Sequence, residues 1–204
     1  MSLFDTSDPR PVHFVGIAGA GMSGLAELLV RRGVRVTGCD ASPTEESRRD
    51  LARIGVAAIP GHSSDHVAGA RMLVVTSAMP KNHPELEAAR AAGIPIVRRA
   101  EALGEATRVG DVIAIAGTHG KTTTTVLTTE ALAAARLDPT GLVGGRVSDW
   151  SGNLRPGSDR LFVVEADEYD RSFLALTPTI AVVTNVEAVK GNVVKWADPS
   201  VFFP

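Results

Sequence analysis

The sequence predicts an α/β protein: a Rossmann-like parallel-sheet unit followed by part of a P-loop α/β unit. Three observations carry this. Short apolar runs alternate with stretches of helical periodicity, the rhythm of β-α-β units whose strands are buried on both faces. A G-x-G-x-x-G motif, "GIAGAGMSG" (16–24), follows the first apolar run. A second glycine turn, "IAIAGTHGKTTTT" (113–125), follows a later one and ends in lysine and threonines.

The elements follow in order. "VHFVGI" (12–17) reads as a strand feeding a helix through "MSGLAELLVRRG", and "VRVTGCD" (34–40) as the next strand. "TEESRRDLARIG" reads as a helix, with Thr44 as N-cap and an acidic first turn. "RMLVVTSA" (71–78) is a third strand, "HPELEAARAAG" a helix ending at Gly93, and "IPIVRR" a short strand. A second unit opens near Gly110 with the strand "DVIAIAG". A helix over about Lys121 to Ala135 follows, with Val126, Leu127, Ala131 and Leu132 at helical spacing as its apolar face. "LFVVEAD" (161–167) and "TIAVVTNV" (179–186) are buried strands, and the glycine- and serine-rich "GGRVSDWSGNLRPGSDR" between them reads as loop. The join between the units, at about 106–111, is short enough to pack them together.

Composition bounds the function. The chain has 204 residues, 44% of them hydrophobic and 22% charged, ordinary globular material. A net charge of −2 argues against bulk nucleic-acid binding and polybasic membrane anchoring. No apolar run is long enough to cross a bilayer, and "MSLFDTSDPRP" has no cationic-then-apolar leader pattern. Cys39 is the single cysteine, so no internal disulfide forms. A cytoplasmic setting is expected. Oligomeric state is not legible.

Two phosphate sites are expected. In the first, Gly19, Gly21 and Gly24 stand between strand and helix, the context the motif requires. Glycine lets the backbone approach a pyrophosphate, and the helix start supplies N–H groups and the positive end of the dipole. Asp40, at the end of the second strand, lies where a carboxylate accepts hydrogen bonds from ribose hydroxyls. The motif leaves open a nicotinamide cofactor or another diphosphonucleotide. In the second site Gly120, Lys121 and Thr122 form G-K-T at a helix start, for a phosphate cradle, a phosphate-directed ammonium and a Mg²⁺ ligand. Ile115 occupies the position where the general P-loop has its first glycine, so the loop is tightened to "AGTHGKT". His119 reads as a local hydrogen-bonding residue. Glu165, at the tip of a strand, is the metal ligand expected beside a P-loop; Asp167, Glu168 and Asp170 read as capping acids.

"GTHGKTTTT", "HFVGIAGAGMSG", "EADEYDRSFL", "VVTSAMPKNHPEL" and "IPIVRRAEALGE" together resemble the Mur ligases, over about Val12 to Ala188. The resemblance implies a Rossmann-like domain (11–107) for the UDP part of the substrate, a partial P-loop domain (110–188) for ATP and Mg²⁺, and a C-terminal domain absent here. It implies UDP-N-acetylmuramate and L-alanine as substrates, joined through an acyl phosphate. By matching position, Gly19, Ala20, Gly21, Met22 and Ser23 face the UDP pyrophosphate, and Asp40, Ser77 and Ala78 lie near the uridine. Gly117, Thr118, His119, Gly120, Lys121, Thr122 and Thr123 cradle ATP. Thr122 and Glu165 hold Mg²⁺, Lys121 is catalytic, and Asn153 contacts the muramoyl part. Tyr169 departs toward the peptide-recycling branch of the family, which is the alternative reading; a non-catalytic UDP-sugar-binding module is another. The family continues "TNVEADHLD", where this chain has "TNVEAVKGN", so residues 189–204 read as a divergent tail and the chain as an inactive fragment.

Overall fold

The computed structural model describes residues 2–76, 79–167 and 173–186. Ser77, Ala78, Glu168, Tyr169, Asp170 and the 189–204 tail lie outside them.

Two five-stranded sheets form the molecule. The first comprises β1 (Val12–Val15), β2 (Val36–Asp40), β3 (Ala58–Pro60), β4 (Met72–Val75) and β5 (Ile96–Arg98), all parallel, in the order β3-β2-β1-β4-β5. Its helices are α1 (Ala20–Arg31), α2 (Glu45–Arg53), α3 (Pro84–Ala91) and α4 (Arg99–Thr107). The second comprises β6 (Asp111–Ala116), β7 (Thr140–Val147), β8 (Gly152–Arg155), β9 (Leu161–Glu165) and β10 (Ile180–Val183), in the order β10-β6-β9-β7-β8. Among the described residues only the β7–β8 pair of this sheet is antiparallel. α5 (Lys121–Ala134) packs on β7 and β9.

Alternation along the strands sorts the layers, because successive side chains point to opposite faces. Val12 and Phe14 of β1 join α1, α4 and the strands of the second sheet in one large apolar cluster. Val15 of β1 faces the other way, into a smaller cluster with Leu86 and Ala89 of α3. The large cluster also takes Val112, Ala114, Leu142, Leu154, Phe162 and Val164. Thus α1 and α4 lie between the two sheets, and the units share a continuous core.

The amino-terminal segment is tied down. Buried Arg71 donates to the carbonyls of Ser2 and Leu3 at 2.9 and 2.8 Å, and Glu105 accepts from Ser2 Oγ and Leu3 N.

Three expectations are corrected. β10 is not a buried strand: it lies at the edge of its sheet beside β6, and among the described residues Ile180 and Val183 are 53% and 41% exposed. The "GGRVSDWSGNLRPGSDR" segment is not a plain loop: β7 runs into it to Val147, and after a turn β8 returns antiparallel. These strands are buried by α1, a partner from the other unit, so local composition carries no trace of it. The apolar positions of α5 are not its inward face either. Thr125 and Thr129 are fully buried while Leu127 is 65% exposed. Small hydroxyl residues face the sheet because a Cβ at Gly141 on β7 would come within 2.8 Å of Thr129, leaving no room for longer side chains.

Candidate nucleotide-binding site

β1 ends at Val15 and the chain turns through Gly16, which has a left-handed φ of 79°, into α1. Gly19 is the N-cap and offers no side-chain cap, so N–H groups of the first turn are left for an incoming acceptor. Asp40 braces this turn: Oδ2 accepts from Ala18 N at 3.1 Å and Oδ1 from Ser42 N at 3.0 Å. Met22 is placed differently from the rest of the motif. Its side chain is buried in the core and its N–H bonds to Gly19 O, so it presents neither group to a ligand. Ser23 Oγ donates to Ala20 O and to Asn153 Oδ1, at 3.0 and 3.1 Å. Asn153, on β8, is buried against α1 and sits 3.2 Å from where a Cβ at Gly24 would stand. The third glycine of the motif therefore admits the neighbouring unit rather than a ligand.

The second loop joins β6 to α5. Gly117 adopts φ 135°, and a Cβ there would collide with Thr184 Oγ1. Gly120, the N-cap of α5, is left-handed. Lys121 Nζ folds back to donate to Gly117 O at 2.7 Å. Thr122 Oγ1 donates to Glu165 Oε2 at 2.8 Å, and Gly144 N donates to the same oxygen at 2.8 Å. Register explains the meeting: β6 and β9 are parallel neighbours, with Glu165 opposite Ile115, so the tip of β9 lies beside the loop. Hydroxyl and carboxylate oxygens are hard donors suited to Mg²⁺. Their convergence at a helix start with a lysine fits that ion together with a polyphosphate.

Three residues passed over in the sequence belong here. Asn185 accepts from His119 N through Oδ1 at 3.0 Å and from Thr118 N through its backbone oxygen at 3.2 Å. Thr184 donates to His119 O at 2.6 Å. Both follow β10, the parallel neighbour of β6, and they set the loop's shape; their position after a strand was the available signal. Arg99, at the start of α4, lies against the first loop, with Nη1 2.9 Å from where a Cβ at Gly21 would stand and Nη2 3.5 Å from Asp167 Oδ2. It lines a small cleft between the units, together with Gly21, Gly144, Glu165 and Asp167. Glu165, which receives Thr122 of the second loop, thus lines the same cleft as Gly21 of the first, a meeting that no reading of separate motifs foresees.

Fold and loops define an α/β protein with two glycine turns at strand ends, one of Rossmann type and one of P-loop type. The family model described as Mur ligase family, catalytic domain, matches residues 11–109. The chain belongs to the Mur ligase family. It is 51% identical over 88% of its length to the UDP-N-acetylmuramate–L-alanine ligase of Laribacter hongkongensis, and 47% identical over 91% to that of Myxococcus xanthus. It spans 38% and 39% of the length of those curated relatives. Among solved structures it superposes on the UDP-N-acetylmuramate:L-alanyl-γ-D-glutamyl-meso-diaminopimelate ligase of Neisseria meningitides with a TM-score of 0.83, at 29% identity, over 93% of this chain and 64% of that one. The UDP-N-acetylmuramate–alanine ligase of Thermotoga maritima gives 0.80 at 30% identity, over 88% of this chain and 42% of that one. Among the described residues no helix is long and apolar enough to cross a membrane.

Proposed function

We propose that this chain carries the nucleotide-binding part of a cytoplasmic, ATP-dependent ligase that joins L-alanine to UDP-N-acetylmuramate in peptidoglycan synthesis. The observation that carries the reading is the meeting of Thr122 and Glu165 beside Lys121 at the second loop, with Glu165 also lining the cleft that Gly21 of the first loop lines. Residues 11–107 would hold the UDP-sugar and 110–188 the ATP. Within the Gly19–Ser23 turn the backbone N–H groups of Ala20 and Gly21 would receive the diphosphate, with Asp40 bracing the turn. The uridine contacts expected at Ser77 and Ala78 and the muramoyl contact expected at Asn153 remain part of this reading; Asn153 would act there through its hold on Ser23.

A carboxylate is a poor acyl donor. In the proposed reaction the muramoyl carboxylate attacks the γ-phosphorus of ATP and ADP leaves. The amine of L-alanine then attacks the acyl phosphate carbon, and inorganic phosphate leaves with the amide formed. Mg²⁺ bound between Thr122 and Glu165 would neutralise charge on the phosphate oxygens. Lys121 would leave the Gly117 carbonyl for the transferring phosphoryl group, where its charge counts more in the transition state than before it. The peptide-recycling reading draws on the Neisseria superposition. The curated relatives at 47–51% identity are alanine-adding ligases, which favours the alanine reading; the two superposed structures, at 29% and 30%, weigh equally for both.

Calorimetry on the chain tests this. UDP-N-acetylmuramate should bind more tightly than NAD, and Lys121→Ala should weaken Mg-ATP binding at least tenfold while leaving the UDP-sugar affinity unchanged. Tighter binding of NAD, or an ATP affinity indifferent to Lys121, would overturn the reading.

A further inference from the structure

Four of the five histidines gather on the α3 face of the first sheet, around one carboxylate. Glu85, in the first turn of α3, is fully buried. Its Oε1 accepts from Cys39 Sγ at 2.9 Å and lies 2.9 Å from His66 Nδ1. Its Oε2 lies 3.2 Å from His62 Nδ1 and 3.6 Å from His83 Nδ1. Cys39 Sγ stands 3.3 Å from His62 Nδ1. His13 completes the inner wall; its ligand atom and those of Cys39 and Glu85 lie within 4.8 Å of one another. Among the described residues His13 Nε2 makes no hydrogen bond, and His83 Nδ1 and Glu85 Oε2 make none beyond the ion-pair contacts just given.

Orphaned buried polar atoms are costly and rare, and several aimed into one place call for a common partner. A cation serves, because each atom has a lone pair to give. A tetrahedral ion with bonds of about 2.0–2.3 Å holds its donors about 3.3–3.6 Å apart, and the Cys39–His62, His62–Glu85 and His83–Glu85 separations of 3.3, 3.2 and 3.6 Å stand near that spacing. Thiolate, imidazole and carboxylate together select a borderline-soft ion such as zinc over magnesium or calcium. The Thr122–Glu165 pair, all oxygen, has the opposite preference.

We propose that Cys39, His62, His83 and Glu85 form a zinc site in the first unit, separate from the phosphate loops. His66, on the other carboxylate oxygen, orients Glu85, and the 25% exposed side chain of His62 gives the ion a way in. Without a cation, burial and the neighbouring carboxylate hold the Cys39 thiol far above its ordinary range. Zinc reverses that balance and releases the thiol proton to solvent as the Zn–S bond forms. The ion ties the end of β2, the segment after β3 and the start of α3. Cys39 O also receives the N–H groups of Gly16 and Ile17 at 2.8 and 3.0 Å, so the tie reaches the first phosphate loop.

Titration of the metal-stripped chain with Co²⁺ and then Zn²⁺ tests the site. One equivalent of Co²⁺ should produce thiolate-to-cobalt charge-transfer absorption, one equivalent of Zn²⁺ should remove it, and zinc should raise the melting temperature. Cys39→Ser should abolish the absorption. His83→Ala, at an N-cap position whose side chain makes no capping bond, should leave the helix content intact and weaken zinc at least tenfold. No charge-transfer band, a band that survives Cys39→Ser, or zinc affinity unchanged by His83→Ala would each overturn the proposal, leaving a hydrogen-bonded histidine–glutamate knot.

Discussion

Arg32, just past α1, holds the two units together with one side chain. Its guanidinium carbon lies 4.8 Å from the Phe4 ring centre and 5.5 Å from that of Phe162. It bonds to Asp159 Oδ1 at 2.5 Å through Nη2 and to Ala106 O at 2.8 Å through Nη1. A flat, weakly hydrated cation suits this sandwich, and an ammonium does not. Arg32→Ala should lower the unfolding free energy by about 2–3 kcal/mol, from lost cation–π contact and charge-assisted bonds, with Arg32→Lys intermediate. Urea denaturation checks the order of the three proteins. Gly117→Ala should act on function instead. A methyl at φ 135° facing Thr184 forces the P-loop open, so Mg-ATP affinity should fall at least tenfold in calorimetry while the first loop is untouched. Lys121 and Thr122 were singled out by the G-K-T spacing and Glu165 by its place at a strand tip, and Thr122 and Glu165 meet in the fold. Asn185 and Arg99 were not singled out, because their relation to the loops exists only once distant strands and helices are paired.

At the scale of elements, β1, β2, β4, β5, β6, β9, β10 and α1 to α3 were readable from apolar runs, helical periodicity and capping, whereas β3 and α4 were not. Thr44 caps α2, accepting from Ser47 N at 3.1 Å, as its position before two glutamates implies. The β7–β8 hairpin and the true inward face of α5 were hidden, because both depend on what packs against them. Thr129 makes this testable. Its hydroxyl bonds to Thr125 O at 2.7 Å, a carbonyl four residues back in the same helix, so the bond contributes little to the fold. Thr129→Val keeps the shape and should change stability by no more than about 1 kcal/mol. Thr129→Leu drives extra atoms into Gly141 and Trp150 and should cost about 1–3 kcal/mol. If thermal unfolding ranks the two variants the other way, the helix–sheet contact is not the close one described.

At the scale of the molecule, the continuous apolar cluster across both sheets predicts one unfolding transition. Circular dichroism and tryptophan emission should give coincident urea curves, since neither unit keeps a closed core without the other; two separated transitions would contradict this. α1 is the shared wall of that arrangement. Its first turn carries one glycine loop, its outer face lies on β7 and β8, and Gly144 of β7 donates to the same Glu165 oxygen that receives Thr122. On the proposed reading, a ligand seated on one loop would be felt, through α1 and β7, at the carboxylate beside the other. Thermodynamic linkage makes such an influence mutual. The factor by which Mg-ATP alters the affinity for the UDP-sugar must equal the factor by which the UDP-sugar alters that for Mg-ATP. A factor different from one, lost on replacing Glu165 with glutamine, would make this helix the line along which each half of the molecule senses that the other is loaded.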